Sequence, residues 1–448
     1  MEKKYFGTDG IRGKAFHFLD AKLAFKLGQA IAKKFNPKEV VIGEDTRQSS
    51  SMLAYGVAYG LALAGVDVKM AEVVSTPMIA YYSKVNQMIG VMVTASHNPH
   101  EDNGLKVFKS GYKMLDEEEL ALESYIDDDK ILKADTIGKI IVSDEIENLY
   151  SKVYETLNIP QINLNIAYDS ANGATYKIAK KIIEKYSLKS KQTGNTPDGL
   201  NINLNCGSTH LEEIKKLISE ERADIGLSFD GDGDRLLVVG KEGEVYDGDM
   251  IVYIIAKYLK SVGKLKYETV VLTQMSNPGI LKAFRDLGIK VSQTPVGDKY
   301  VSHEIVTNDY TIGGENSGHI ILNDLLPSGD GLFAAMYLLK VLAENNLGLI
   351  DYTSEVEMYP QKLVNIKNVN KEVLKTEEIK TLLNEVKEEL GQDALLLVRP
   401  SGTEPLVRVT ISCKNEQQLD KLMDRIVSKI KEVGAIWYEK LCISFSCW

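Results

Sequence analysis

The stretch Ser228-Phe229-Asp230-Gly231-Asp232-Gly233-Asp234-Arg235 sets three carboxylates at alternate positions, with glycine between them. Carboxylates this close repel one another unless a cation lies between them. Oxygen-only ligation suits Mg²⁺ or Ca²⁺. Glycine admits backbone angles that clash for other residues, so the three side chains can converge on one point. An EF-hand needs glycine at its sixth position and glutamate at its twelfth. Counted from Asp230, those positions hold Arg235 and Lys241, and the EF-hand fails. The plain alternative is an acidic surface turn, which uncompensated repulsion disfavours.

Four further stretches carry candidate chemistry. In Val93-Thr94-Ala95-Ser96-His97-Asn98-Pro99 an apolar run, 89–93, delivers a serine to a turn-rich loop. A serine hydroxyl is a weak nucleophile until a base, a lowered pKa or a metal activates it. His97 is adjacent and Lys106 follows within Asp102-Asn103-Gly104-Leu105-Lys106. Alone, such a serine reads as a turn or cap residue; beside the aspartate trio it reads as a nucleophile. Gly313-Gly314-Glu315-Asn316-Ser317-Gly318-His319 groups four different hydrogen-bonding side chains between glycines, a composition suited to a polyhydroxylated ligand or to an ordinary β-turn. Arg399-Pro400-Ser401-Gly402-Thr403-Glu404-Pro405, with Arg408 beyond it, offers what a phosphate dianion needs: guanidinium forks, hydroxyls and bared backbone N–H groups. The plain alternative is a tight turn between strands. Gly7-Thr8-Asp9-Gly10-Ile11-Arg12-Gly13 frames another arginine, or is simply a flexible entry to the first strand.

The elements that position these loops alternate strand and helix. Val40-Val41-Ile42-Gly43, a polar turn and an Ala/Gly-rich helix over 51–64 form one strand–turn–helix opening. Ile166-Ala167-Tyr168 with a helix from Ala174, and Val270-Val271-Leu272 with a helix from Pro278, repeat it. The spacing predicts three related α/β domains. The tail differs: a polar stretch 366–378, a helix through Leu382, Val386 and Leu390, strands 395–398 and 406–411, and an amphipathic helix through Leu419, Leu422, Ile426 and Ile430. These form a smaller α+β domain. The expected boundaries are 1–155, 156–255, 256–367 and 368–448, the fold being α/β with mixed sheets around a central cleft. Residues 436–448 are compositionally atypical and read as an extension without functional weight.

Bulk properties set outer limits. The formal net charge is −10 over 448 residues, which argues against nucleic acid as partner. Four cysteines, Cys206, Cys413, Cys442 and Cys447, show no metal-binding spacing, so a reducing cytoplasmic setting is expected. No apolar leader and no membrane span are predicted. There is no G-x-x-x-x-G-K-[ST], G-x-G-x-x-G before a helix, H-E-x-x-H or G-x-S-x-G, so nucleotide hydrolysis, dinucleotide redox chemistry, zinc proteolysis and esterase chemistry lose support.

Taken together and in this order, the motifs resemble the α-phosphohexomutase superfamily, over the chain to about residue 435. Gly7 to Gly13 as GTDGIRG, Pro197-Asp198-Gly199-Leu200-Asn201-Ile202-Asn203, Cys206-Gly207-Ser208-Thr209 and Tyr359-Pro360-Gln361 are most similar to its bacterial phosphoglucosamine-mutase group. Two positions depart from the usual pattern. Asn316 stands where the sugar loop usually has glutamine, and Lys299, in Val296-Gly297-Asp298-Lys299-Tyr300, stands where arginine is usual. Lysine keeps the charge and loses the bidentate fork.

The resemblance implies that Ser96 is a phosphoserine and that Asp230, Asp232 and Asp234 hold one Mg²⁺ together with a phosphate oxygen on Ser96. It implies sugar contacts from Glu315 and Ser317, with Arg235, Asn316, His319 and Lys299 in the same substrate-binding set. Arg399, Ser401, Gly402, Thr403 and Arg408 would grip the phosphate that does not react. Arg12, Lys106 and Arg235 would neutralise charge, and His97 and Lys106 are the two candidates for moving the proton. The reaction implied is interconversion of a hexosamine 6-phosphate and 1-phosphate through a sugar 1,6-bisphosphate, which is also the expected activator. A homodimer is compatible with it. The rivals are a glucose- or mannose-phosphate mutase, a non-catalytic phosphosugar sensor and a metal-dependent sugar phosphatase.

Overall fold

A computed structural model of the protein describes residues 3–434 except 8, 324, 325, 327 and 401–405. Cys442, Cys447, the 436–448 tail and the phosphate-loop residues Ser401, Gly402 and Thr403 therefore lie outside the described residues. The chain packs as two compact units, one of residues 1–273 and 289–354, the other of 274–288 and 355–448.

The first unit holds three mixed sheets. One comprises β1 (Ile11–Lys14), β2 (Glu39–Glu44), β3 (Asp67–Val73), β4 (Ile89–Val93), β5 (Asp102–Lys109), β6 (Tyr112–Lys113) and β7 (Ile140–Val142), in the order β1-β5-β4-β2-β3-β7, with β6 beside β5. The next comprises β8 (Ile166–Asp169), β9 (Ser190–Thr193), β10 (Ile225–Phe229), β11 (Leu236–Gly240) and β12 (Val245–Tyr246), ordered β12-β11-β10-β8-β9. The third comprises β13 (Thr269–Thr273), β14 (Lys290–Thr294), β15 (Ile312–Gly314) and β16 (Ile320–Leu322), ordered β14-β13-β15-β16.

A four-strand motif repeats through all three. β3-β2-β4-β5, β9-β8-β10-β11 and β14-β13-β15-β16 each join three parallel strands to one antiparallel strand. The first three members need crossover helices, because parallel neighbours cannot be joined by a short hairpin. The third and fourth are antiparallel, so a short loop suffices there. That loop is the Ser96 segment between β4 and β5, the aspartate segment between β10 and β11, and the 315–319 segment between β15 and β16. The expected three related α/β domains are thus present, and each presents its polar loop at the same topological position.

The Ala/Gly composition of the second helix has a packing cause. Helices Ala21–Phe35 and Ser50–Leu63 cross in close contact. A Cβ on Gly28 would lie 2.3 Å from the Val57 carbonyl oxygen, and one on Gly60 would lie 2.2 Å from that of Phe25. Their buried faces cover the core formed by Leu27, Ile31, Val40, Ile42, Val57 and Val91.

The second unit carries one antiparallel sheet, β17 (Gln361–Lys367), β18 (Leu395–Pro400) and β19 (Leu406–Ser412), ordered β17-β19-β18. Helices Glu377–Leu390 and Glu416–Gly434 cover it with Ile379, Val386, Leu419, Ile426 and Ile430. Two of the expected boundaries need correction. The boundary at 367/368 cuts β17 away from the sheet it belongs to; the strand looks polar in sequence, because only Ile366 of its residues is buried. Within the polar stretch 366–378, Val369 and Val373 turn into the same core. The boundary at 255/256 likewise falls inside helix Gly248–Ser261.

Candidate active site

The Ser96 loop and the aspartate loop meet. Ser96 Oγ donates to Asp230 Oδ2 at 2.6 Å, across 134 residues of chain. Ser96, Asp230, Asp232 and Asp234 are all buried. One carboxylate oxygen from each of Asp230, Asp232 and Asp234 lies within 4.8 Å of the others. Asp232 Oδ1 and Asp234 Oδ1 are buried without a hydrogen-bond partner. Buried acceptors with no donor are costly, and a hard cation satisfies such oxygens directly. The donor set therefore fits a divalent ion such as Mg²⁺.

Charge in the pocket is balanced by cations from the first sheet. Lys106 Nζ, on β5, sits 2.7 Å from Asp232 Oδ2, 3.3 Å from Asp234 Oδ2 and 3.2 Å from Asp9 Oδ2. Burial works against its charge, but Asp232, Asp9 and Asp234 outweigh burial and hold its pKa well above that of a free lysine. Arg12, on β1, pairs with Asp9 and donates to the Ala95 carbonyl at 3.3 Å. Lys113 bridges Asp9 and Asp298. Asp230 and Asp234 diverge in consequence. Burial and the neighbouring Asp234 and Asp232 push Asp230 well above the usual carboxylate range. Asp234, against the same burial, is held well below it by Lys106 and His319.

The two histidines behave oppositely. His97 Nδ1 lies 3.4 Å from Ser96 Oγ, and burial, with Arg235 and Arg12 nearby, lowers its pKa to about 4. His319 Nε2 lies 3.1 Å from Asp298 Oδ2 and its Nδ1 3.7 Å from Asp234 Oδ1. Burial would lower its pKa too, but Asp298 and Asp234 raise it to about 10. At neutral pH the site thus holds one neutral imidazole beside the serine and one imidazolium beside the acids.

The 313–319 loop is tied in by His319 and by a bridge between Arg235 and His319. Glu315 is buried and accepts from the Gly297 N–H at 2.9 Å. Ser317 Oγ is buried with no hydrogen-bond partner, and Asn316 contributes its carbonyl to the Gly248 N–H at 3.3 Å. The Lys299 ammonium pairs with Asp116, half-exposed on the helix Asp116–Ile126. In the second unit Arg399 and Arg408 are cross-strand partners of β18 and β19, beside residues 401–405.

Several contributors carried a weaker sequence signal. Asp9 and Asp298 sit inside glycine-marked stretches whose arginine or lysine drew attention instead. Thr76, whose hydroxyl donates to Asp232 Oδ2 at 2.6 Å, stands in no motif. Arg47 and Asn203 both donate to the Ser96 carbonyl at 2.9 Å.

Comparison with known proteins agrees with this arrangement. Four family models, described as phosphoglucomutase/phosphomannomutase α/β/α domains I, II and III and C-terminal domain, match residues 3–132, 145–243, 247–359 and 363–429. The four matches together define the fold as that of the phosphoglucomutase/phosphomannomutase family. A phosphoglucosamine mutase of Anoxybacillus flavithermus is 42% identical over 96% of this chain and 99% of its own length. The chain belongs to the phosphoglucosamine mutase family. Among solved structures, a phosphoglucomutase/phosphomannomutase family protein from Burkholderia thailandensis superposes with a TM-score of 0.81 at 22% identity, covering 95% of this chain and 96% of that one. The Aspergillus fumigatus N-acetylphosphoglucosamine mutase, in complex with GlcNAc-6P and magnesium, gives a TM-score of 0.67 at 17% identity and covers 96% of each chain. No helix among the described residues is long and apolar enough to cross a membrane.

Proposed function

We propose that this chain interconverts glucosamine 6-phosphate and glucosamine 1-phosphate through a phosphoserine at Ser96, supplying UDP-N-acetylglucosamine and cell-wall synthesis in the cytoplasm. The observation that carries the reading is the 2.6 Å contact between Ser96 Oγ and Asp230 inside a buried aspartate trio. The named activity of relatives 42% identical over nearly the whole chain supports the amino-sugar substrate. The buried, unpaired thiols of Cys206 and Cys413 suit a reducing compartment.

Asp230, Asp232 and Asp234 would hold Mg²⁺. Bound there, the ion supplies neutralisation of charge on the transferring phosphoryl oxygens. The chain's own groups do the rest. The anomeric hydroxyl of a 6-phosphosugar attacks the phosphorus on Ser96; the new O1–P bond forms as the Oγ–P bond breaks. The proton of that hydroxyl passes to a base within reach, and neutral His97 beside Oγ is able to accept it, whereas Lys106 is protonated and stabilises negative charge. The resulting 1,6-bisphosphate turns round, and its O6–P bond breaks as a new Oγ–P bond forms at Ser96, the proton held by His97 passing to O6. Arg12 and Arg235 add positive charge. Glu315, Ser317, Asn316 and His319 offer acceptors and donors to the sugar hydroxyls, and Arg399 and Arg408 bind the phosphate not in transfer. Burial of the reacting groups limits loss of the phosphoryl group to water.

The test is a coupled assay for glucosamine 1-phosphate formation with wild type and Ser96→Ala, and with glucose and mannose 6-phosphates as rivals. The highest kcat/KM is expected for glucosamine 6-phosphate. Equal turnover by Ser96→Ala would remove the serine from the reaction. Release of inorganic phosphate faster than isomerisation would make the protein a phosphatase.

A further inference from the structure

The segment 197–209, which set this chain apart from other phosphohexomutases in sequence, bears no charge toward the acid trio and stands in no sugar loop. We infer that it is a positioning strap for the nucleophile. Asn203 from the strap and Arg47 from the turn after β2 together hold Ser96 in the one backbone conformation that aims its hydroxyl at Asp230.

The geometry is specific. Ser96 has a φ of 54°, a left-handed conformation that a non-glycine residue adopts only when held. Its carbonyl oxygen accepts two hydrogen bonds, from Arg47 Nη2 and Asn203 Nδ2, both at 2.9 Å. The same two donors serve the next turn: the Asn98 carbonyl accepts from Arg47 Nη2 at 2.9 Å and from Asn203 Nδ2 at 3.1 Å. Arg47 also donates to the Asp102 carbonyl at 2.9 Å and to that of Pro99. Its side chain is fully buried, and Asp45 Oδ2 fixes its Nε at 2.8 Å. A guanidinium has five donors in a rigid fork, and here the fork is spent on the carbonyls of one loop.

The strap grips the partner loop as well. A Cβ on Gly231, between Asp230 and Asp232, would lie 2.6 Å from the Ser96 carbonyl oxygen, 2.7 Å from Asn203 Nδ2 and 2.8 Å from Ile202 Cδ1. The strap is itself anchored: the Asn203 N–H donates to the Ala171 carbonyl and the Gln48 N–H to the Gly199 carbonyl, each at 2.9 Å. Ser96, Gly231 and Asn203 thus form one packed contact. Displacing Asn203 moves the nucleophile and the acid loop relative to one another, while the sugar loop keeps its own supports. Reacting groups misplaced by about 1 Å can lose about 10²-fold in rate.

This inference rests on the mutase reading, and its test separates the two. Asn203→Asp keeps the side chain's shape and removes both donors, placing a carboxylate against two carbonyls. Arg47→Lys keeps the charge and loses the fork. For both, thermal melting checks folding, steady-state kinetics give kcat and KM, and intact mass follows phosphoryl transfer from Ser96 to a 6-phosphosugar in a single turnover. The expected result is a fall in kcat and in single-turnover rate of about 10²-fold, with KM for the sugar phosphate within twofold of wild type. Mg²⁺ titrated alone by calorimetry is expected to bind Asn203→Asp more weakly than wild type. Unchanged kcat in the folded variants, or kcat and KM falling together in step with melting temperature, would overturn the strap. A wild type that transfers no phosphoryl group would refute the mutase reading instead, and the strap would then stand or fall on Mg²⁺ affinity, unchanged binding in Asn203→Asp overturning it.

Discussion

Both units of the molecule carry networks of opposite charge, and the two networks do different work. In the first unit Lys106, Lys113, Asp9, Asp232, Asp234, Asp298 and His319 interlock with little or no exposure to solvent. In the second unit Arg425 pairs with Glu385 and Glu389 across the two surface helices, and its side chain is 41% exposed. Water screens the second network, and such pairs contribute about 0–1 kcal/mol. Solvent reaches the first network only at Asp9, Lys113 and Asp298, which are 14–20% exposed. Each of its charges costs several kcal/mol to desolvate, so its members must be complete to be tolerable. That cost makes sense only where the buried charge is used, which is what a phosphoryl-transfer pocket needs.

The contrast can be pressed from both sides. The largest effect is expected at the nucleophile: Ser96→Ala should lower kcat by about 10⁴-fold or more and abolish phosphoryl uptake from a sugar 1,6-bisphosphate, seen by intact mass. Removing a charge from the buried network comes next. Lys106→Met leaves Asp9, Asp232 and Asp234 without their shared cation and should cost about 3–5 kcal/mol of stability, measured by denaturant unfolding, along with most of the turnover.

A pH effect of similar size should be confined to the first unit. Asp330 caps helix Gly331–Asn345, accepts from Tyr150 at 2.6 Å, and is raised by burial to a pKa of about 7. A carboxyl whose folded pKa lies above its unfolded value stabilises the fold fully below the unfolded pKa, and the contribution is lost as pH rises through the folded value. Between pH 4 and 8 the loss is about 4 kcal/mol. Melting of the wild type should therefore fall over that window more than melting of Asp330→Asn, which keeps a capping side chain without the titration. Equal slopes would show that burial does not hold that proton. The smallest effect belongs to the exposed network: Arg425→Ala should shift stability by less than about 1 kcal/mol, vanishing in high salt, with kcat and KM unmoved. A large loss there would erase the distinction between the two networks.

Much of the site was legible because the chemistry is written in local spacing. Three aspartates between glycines predict a hard cation, and a serine after an apolar strand predicts a loop that presents a hydroxyl; both were read without any fold. The repeated strand–turn–helix openings likewise predicted three related domains, because hydrophobic periodicity is a short-range property. Elsewhere local spacing says less, for reasons equally physical. An edge strand such as β17, with one buried residue, looks polar in sequence. Lys299 belongs to a motif that the resemblance links to the substrate, and nothing local announces its pairing with Asp116, 183 residues away.

The sequence alone determined the residue types, the order of the loops and the helices and strands that carry them, since each depends on neighbours a few positions apart. Only the tertiary structure decided which groups share a proton or a charge. His97 and His319 are the same side chain, yet one is held to a pKa of about 4 and the other raised to about 10. That difference arises from which carboxylates and arginines the folded chain brings within a few ångströms, after burial has removed the water that would otherwise make all histidines alike.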